Sequence, residues 1–152
     1  MRPFERLVKE MDRIAGELDE RAVMQVGATK YEPKNCEYFR FIPRKDIEEF
    51  YGGARLIVCH AGGGSILTAL EHDKPLILVP RIKSCGEVFD DHQLEIARQM
   101  ESRGVTVVYD ISNLKSAIGN VSMGAPKVGG GGKLVGALKE YLDRLDKQLR
   151  RP

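Results

Sequence analysis

The chain has 152 residues, of which 24 are Lys or Arg and 22 are Asp or Glu, a net charge of +2. That balance sets up no field for nucleic acid, and the length suits one domain that buries roughly 70% of its unfolded surface. No apolar run approaches the ~20 residues of a membrane-spanning helix, and no signal-peptide pattern precedes the first helix. The cysteines, Cys36, Cys59 and Cys85, show no metal-ligand spacing and leave one over after any pairing. They are read as reduced thiols of a cytosolic protein, Cys59 as a small core residue.

Taken in order, Phe4, Leu7, Val8, Met11, Ile14 and Leu18 recur at helical spacing and predict an amphipathic helix from Pro3 to about Glu20. Ala22 to Val26 reads as a strand ended by Gly27. A loop with Pro33 and Asn35 follows, then a second short strand from Tyr38 to Ile42, closed by Pro43. Asp46 is placed to cap a helix whose Ile47, Phe50 and Tyr51 face inward and which Gly52 and Gly53 stop.

The stretch from Leu56 to Pro80, LIVCHAGGGSILTALEHDKPLILVP, organises the rest. Leu56–Cys59 and Leu76–Val79 are apolar runs without alternation, as expected of parallel strands covered on both faces. Between them His60–Gly64 turns the chain, and Ser65 is a plausible N-cap for a short helix. Three glycines in a row let a ligand approach the backbone, and the first amides of a helix attract phosphate. Such turns also occur in α/β proteins that bind nothing, so the turn alone leaves both readings open. It is not a P-loop, because no Gly-Lys-Ser/Thr follows. It is a poor dinucleotide fingerprint, because it comes late and the next strand ends in Pro80.

A polar loop, RIKSCGEVFD, leads to a helix from about Asp91 to Arg103 with Leu94, Ala97 and Met100 inward, ended by Gly104. Val105–Tyr109 is the last strand, and Ser112 or Asn113 starts a short helix. Residues 120–133 are glycine-rich and read as a flexible linker between a domain of residues 1–119 and a C-terminal segment, 134–152. In that segment Leu134, Leu138, Tyr141, Leu142, Leu145 and Leu149 form an amphipathic helix, packing on the same domain or on a partner. Strands alternate with helices, which predicts an α/β, doubly wound, Rossmann-like parallel sheet. Ligands on such sheets bind outside the carboxyl ends of the strands. Gly27–Tyr31, Phe41–Arg44, His60–Ser65 and Pro80–Gln93 should gather there.

HAGGGSILTALEHDKPLILVPR followed by DDHQLEIA resembles the C-terminal, UDP-sugar-binding domain of GT-B glycosyltransferases of the MurG type. It is most similar to stand-alone versions of that domain, as in the two-part N-acetylglucosaminyltransferase that extends dolichyl-diphosphate-GlcNAc and in bacterial exopolysaccharide glycosyltransferases. The resemblance runs from about Arg2 to Leu114. It implies a cytoplasmic, donor-binding subunit of an inverting enzyme that takes GlcNAc, a uronic acid or a hexose from a UDP-sugar. The acceptor would be a lipid-linked saccharide held by a membrane-associated glycosyltransferase subunit, which would recruit this chain to the membrane. It implies no cofactor, no metal and no nucleic acid. The alternative is a non-catalytic nucleotide-sugar-binding or regulatory subunit.

Carried over residue by residue, the resemblance places Phe41 and Ile42 at the uracil, though both also read as ordinary strand residues. Gly62, Gly63, Gly64 and Ser65 match the diphosphate turn. Thr68 stands where the family has a ribose-binding carboxylate, and Glu71 either takes over that role or is solvated. His92 and Gln93 match the pair that reads the sugar hydroxyls. Arg81 and Glu87 either touch the sugar or pair with each other. His60 is the one candidate for a catalytic base, but a diphosphate contact is preferred, because in GT-B enzymes the base comes from the acceptor half. Family members also open with a strand before the helix that matches RPFERLVKEMD. The expectation is a truncated start, or a gap in the sheet that a partner or a rearrangement fills.

Overall fold

The computed structural model describes residues 2–122 and 131–149. Its centre is β4 (Leu76–Val79), whose four residues are all buried. Leu76 and Leu78 point into one apolar cluster and Ile77 and Val79 into another. The unbroken apolar run in the sequence is therefore the signature of a strand covered on both faces. β3 (Ile57–His60) and β5 (Thr106–Val107) flank β4, both parallel to it. β1 (Val23–Gln25) and β2 (Glu37–Phe39) form a separate parallel pair. The strands are thus parallel, as expected, but divided into sheets of two and three.

Helices cover both faces. α3 (Gly63–Glu71), α4 (His92–Glu101) and α6 (Gly131–Leu149) close the first cluster, with Ile66, Ala69, Ile96, Ala97, Met100 and Leu138 inside it. α1 (Glu5–Ala15) and α5 (Leu114–Ser122) close the second through Phe4, Ile14, Leu114 and Ile118. α2 (Arg44–Gly53) lies at the margin and buries no residue fully. No helix among the described residues is long and apolar enough to cross a membrane.

α1 runs against the strands and ties the two sheets together. At its start the Phe4 amide donates to Thr29 Oγ1 beyond β1 (3.2 Å), and Arg6 Nη2 donates to the Pro80 carbonyl beyond β4 (3.1 Å). Past its other end Glu20 pairs with Arg55, ahead of β3. The carboxyl ends of β1 and β4 therefore meet at one end of α1.

Several boundaries differ from the sequence expectation. α1 stops at Ala15, where Asn35 packs against Gly16 and donates to the Asp12 carbonyl (3.1 Å). α2 starts two residues before Asp46, behind Pro43; Asp46 lies in its first turn, where a carboxylate suits the helix dipole. Gly52 and Gly53 are its last residues rather than its stop, and Ala54 is the C-cap. Of the expected inward residues, Tyr51 packs on the core, whereas Phe50 stays 39% exposed and stacks on Phe39 at 5.3 Å. Asp110 caps the turn before α5 by accepting from the Ser112 amide (3.0 Å). Of the expected linker 120–133, the margins are helical, and 123–130 lie outside the described residues. The inner face of α6 carries Leu138, 2% exposed, with Tyr141 and Leu142 packed on the same cluster.

Asp12 is the one buried carboxylate on α1, 2% exposed. Its oxygens accept from Tyr31 Oη (2.7 Å) and from the amides of Lys34 (2.9 Å) and Asn35 (2.7 Å). Burial raises its pKa, but these hydrogen bonds outweigh it and hold the carboxyl below its ordinary value. Asp12→Ala would strand three donors and release the loop between β1 and β2. A loss of about 3 kcal/mol in unfolding free energy is expected by urea denaturation; a change under about 1 kcal/mol would show the loop is held by other contacts.

Candidate functional site

The register of the central sheet sets the site. His60 pairs with Val79, so the turn after β3 and the exit of β4 lie side by side at the carboxyl ends. Gly62, not Ser65, is the N-cap of α3, and the first bond closes from the Ile66 amide to the Gly62 carbonyl (3.1 Å). The amides of Gly63, Gly64 and Ser65 are left as the helix's free donors. Ser65 instead engages α2: its hydroxyl hydrogen-bonds with the Tyr51 phenol, whose pKa burial raises.

The three glycines differ in what surrounds them. A β-carbon on Gly62 would collide with the His60 ring, 2.8 Å from Cδ2. One on Gly63 would lie 2.6 Å from Leu142 Cδ1 of α6. One on Gly64 would meet nothing within 4 Å. Gly64 alone leaves open space over the free amides.

His60 lies over this turn, and its pKa is drawn down to about 4, first by burial and then by the charge of Arg81. It is neutral at pH 7, a poor base, and still able to donate one N–H. Arg81 reaches the same place. Its guanidinium stands 5.2 Å from the Phe4 ring, and its Nε is buried without a hydrogen-bond partner.

The residue after Arg81 opens a loop that ends at α4. Gln93 Oε1 accepts from the Arg81 amide (3.1 Å), which ties the first turn of α4 to the exit of β4. His92 is the first residue of α4; its side chain is 37% exposed, and its Nδ1 has no hydrogen-bond partner. Asp90 and Glu95 flank it at 3.8 and 3.6 Å. Phe41 and Ile42 follow β2, with Phe41 61% exposed.

Three expected residues are engaged elsewhere. Thr68 is buried, and its hydroxyl donates to the Gly64 carbonyl (3.0 Å) inside α3. Glu71 is exposed and lies 3.7 Å from Arg44. Glu87 does not pair with Arg81: Arg6 holds it through two bonds of 2.9 and 3.0 Å. The sequence marks neither Arg6 nor Phe4 as a site residue. On a helix they read as one solvated cation and one core aromatic, and only the fold joins them to residues some 80 positions away. Among the described residues no group of three or more His, Cys, Asp or Glu side chains could hold a metal ion.

A parallel sheet covered on both faces, with unpaired helix amides and a glycine turn at the carboxyl ends of its strands, defines a doubly wound, Rossmann-like α/β domain. The chain matches the glycosyltransferase family 28 C-terminal domain over residues 2–127, and it belongs to that family. It is 32% identical over 94 residues to the UDP-N-acetylglucosamine transferase subunit ALG13 of Candida albicans, covering 62% of this chain and 31% of that one. It is 33% identical over 102 residues to the ALG13 subunit of Eremothecium gossypii, covering 66% and 48%. The human ALG13 subunit is 34% identical over 89 residues, covering 55% and 8%. The chain thus spans less than half the length of these curated relatives. Spinosyn forosaminyltransferase SpnP shares the fold with a TM-score of 0.62 at 16% identity, over 96% of this chain and 40% of that one.

The low pKa of His60 makes stability depend on pH. An unfolded histidine takes its proton near 6.5 and native His60 near 4, so between these values the unfolded chain binds more protons. Stability falls as pH drops through that window. His60→Gln should remove about 2 kcal/mol of the loss seen between pH 7 and pH 5 in urea denaturation. An unchanged pH profile would show that His60 is solvated in solution.

Proposed function

We propose that the chain is the donor-binding subunit of a two-part inverting glycosyltransferase and holds a UDP-sugar at the turn between β3 and α3. The observation that carries this reading is the set of free Gly63, Gly64 and Ser65 amides, open at Gly64 and flanked by His60 and Arg81. A diphosphate would receive N–H donors from the helix terminus and charge from Arg81, which lowers the energy of the departing UDP. Phe41 and Ile42 would meet the uracil, and His92 and Gln93 would face the sugar. The names of the ALG13 relatives support GlcNAc as that sugar. The acceptor would be a lipid-linked saccharide, presented by a membrane-associated subunit that supplies the catalytic base and draws this chain to the membrane from the cytoplasm.

One observation favours a second reading. Thr68 donates its proton inside α3 and Glu71 lies beside Arg44, so neither of these two positions holds an unpaired carboxylate for a ribose. A non-catalytic nucleotide-sugar-binding subunit would tolerate that. Transfer activity on mixing with the membrane partner separates the readings.

Calorimetric titration with UDP, UDP-GlcNAc, UDP-glucuronate and NAD tests the donor site. Binding of the UDP compounds and not NAD is expected. Gly64→Leu fills open space, so it should keep the native melting temperature while weakening UDP at least about tenfold. Gly63→Ala is the contrasting variant: its clash with Leu142 should cost about 1–3 kcal/mol of stability. UDP binding that survives Gly64→Leu unchanged would remove the turn from the site.

A further inference from the structure

The segment between β4 and α4 carries Arg81 at its start and delivers His92 and Gln93 at its end, yet no strand pairing holds it. It contains one short 3₁₀ turn, Lys83–Cys85, and a left-handed Gly86 at φ +70°. What fixes it comes from α1. Arg6 Nε donates to Glu87 Oε1 (2.9 Å), and Arg6 Nη2 donates both to Glu87 Oε2 (3.0 Å) and to the Pro80 carbonyl (3.1 Å). Glu87 Oε2 also accepts from the Ile82 amide (2.8 Å). One guanidinium therefore grips the loop at its exit from β4 and again seven residues on. Both Glu87 oxygens are used, and its side chain is 8% exposed. Ahead of Arg6, Arg2 donates to the Gly86 carbonyl (2.9 Å) and stacks 3.7 Å over the Phe89 ring.

We propose that Arg6 and Glu87 are positioning residues: as one unit they set the loop that carries Arg81 and leads to His92 and Gln93, and Glu87 does not touch the donor sugar. This rests on the donor-site reading above. A bidentate arginine–carboxylate pair with little solvent access is a rigid, directional tie, and a loop held otherwise by few bonds moves when it is cut. The glycine turn is fixed independently by β3 and α3. Loss of the tie should therefore disturb sugar recognition more than recognition of the nucleotide.

Four variants test this: Arg6→Ala, Glu87→Ala, Arg6→Ala/Glu87→Ala, and Glu87→Gln, which keeps an acceptor for the Ile82 amide. Two quantities are read, the dissociation constants for UDP-GlcNAc and UDP, and hydrogen exchange at the amides of Ile82 and Glu87. If the pair acts as a unit, each alanine variant weakens UDP-GlcNAc about tenfold, the double variant is no worse than the poorer single, and UDP weakens by a smaller factor, through Arg81. Loop amides exchange faster in all three alanine variants, with β4 unaltered, and Glu87→Gln recovers part of both effects. Multiplying losses in the double variant, or unchanged loop exchange, would overturn the proposal. If the unaltered chain binds no UDP-sugar, the donor reading fails, and the exchange rates still decide whether Arg6 and Glu87 order the loop.

Discussion

Everything at the candidate site depends on β4 having no exposed face. A strand with apolar side chains on both sides can lie only between two helical layers, and that fixes which helices go where. Leu76 and Leu78 draw in α3, α4 and α6, while Ile77 and Val79 draw in α1 and α5. The parallel register then places His60 beside Val79 and hence the glycine turn beside Pro80 and Arg81. The site is a consequence of how the core is filled: groups distant in sequence converge because the strands that carry them end at one edge.

The electrostatics of that edge follow from the same packing. Arg81 has Glu87 within reach of its charge, but that carboxylate is committed to Arg6 and the Ile82 amide. The guanidinium is left with an aromatic ring and an unpartnered Nε. A partly buried cation whose nearby carboxylate is bonded elsewhere is stabilised when a ligand supplies a further anion. His60, next to it, is neutral and adds a donor without a second positive charge. Neutral donors, one cation and free helix amides form a set suited to a dianionic group at a helix terminus.

Much of this was legible in the sequence because it is local. The run Leu76–Val79 gave a strand with the observed bounds, and the glycines gave a turn and a helix start, the N-cap lying three residues ahead of the expected Ser65. What was not legible is long-range. Gly63 reads like its neighbours, as a glycine kept bare for a ligand; the reason visible in the fold is Leu142 on α6, 79 positions away. Asp46 and Ser65 have the right chemistry for caps, but packing at Pro43 and Gly62 moved the helix starts ahead of them. The division of the strands into two sheets was not readable from strand propensity either, since each strand looks the same whether or not its neighbour is paired. Glu87 shows the limit most clearly: Arg81 is nearer in sequence, and Arg6 takes the carboxylate because α1 crosses the carboxyl end of β4.

α6 makes the glycine turn more than a local feature. Its Leu142 lies against Gly63, its Leu138 fills the core beneath α3, and its Tyr141 hydroxyl donates to Glu95 Oε2 on α4 (3.1 Å). One helix thus supports both elements that flank the candidate site, α3 with its free amides and α4 with His92 and Gln93. α1 does the same from the other layer, through Arg6 and Phe4. A shift of either helix changes the distance between the turn that would hold a diphosphate and the loop that would face a sugar. The geometry of recognition is therefore set by contacts outside the site, and close packing transmits such shifts because it leaves little slack to absorb them.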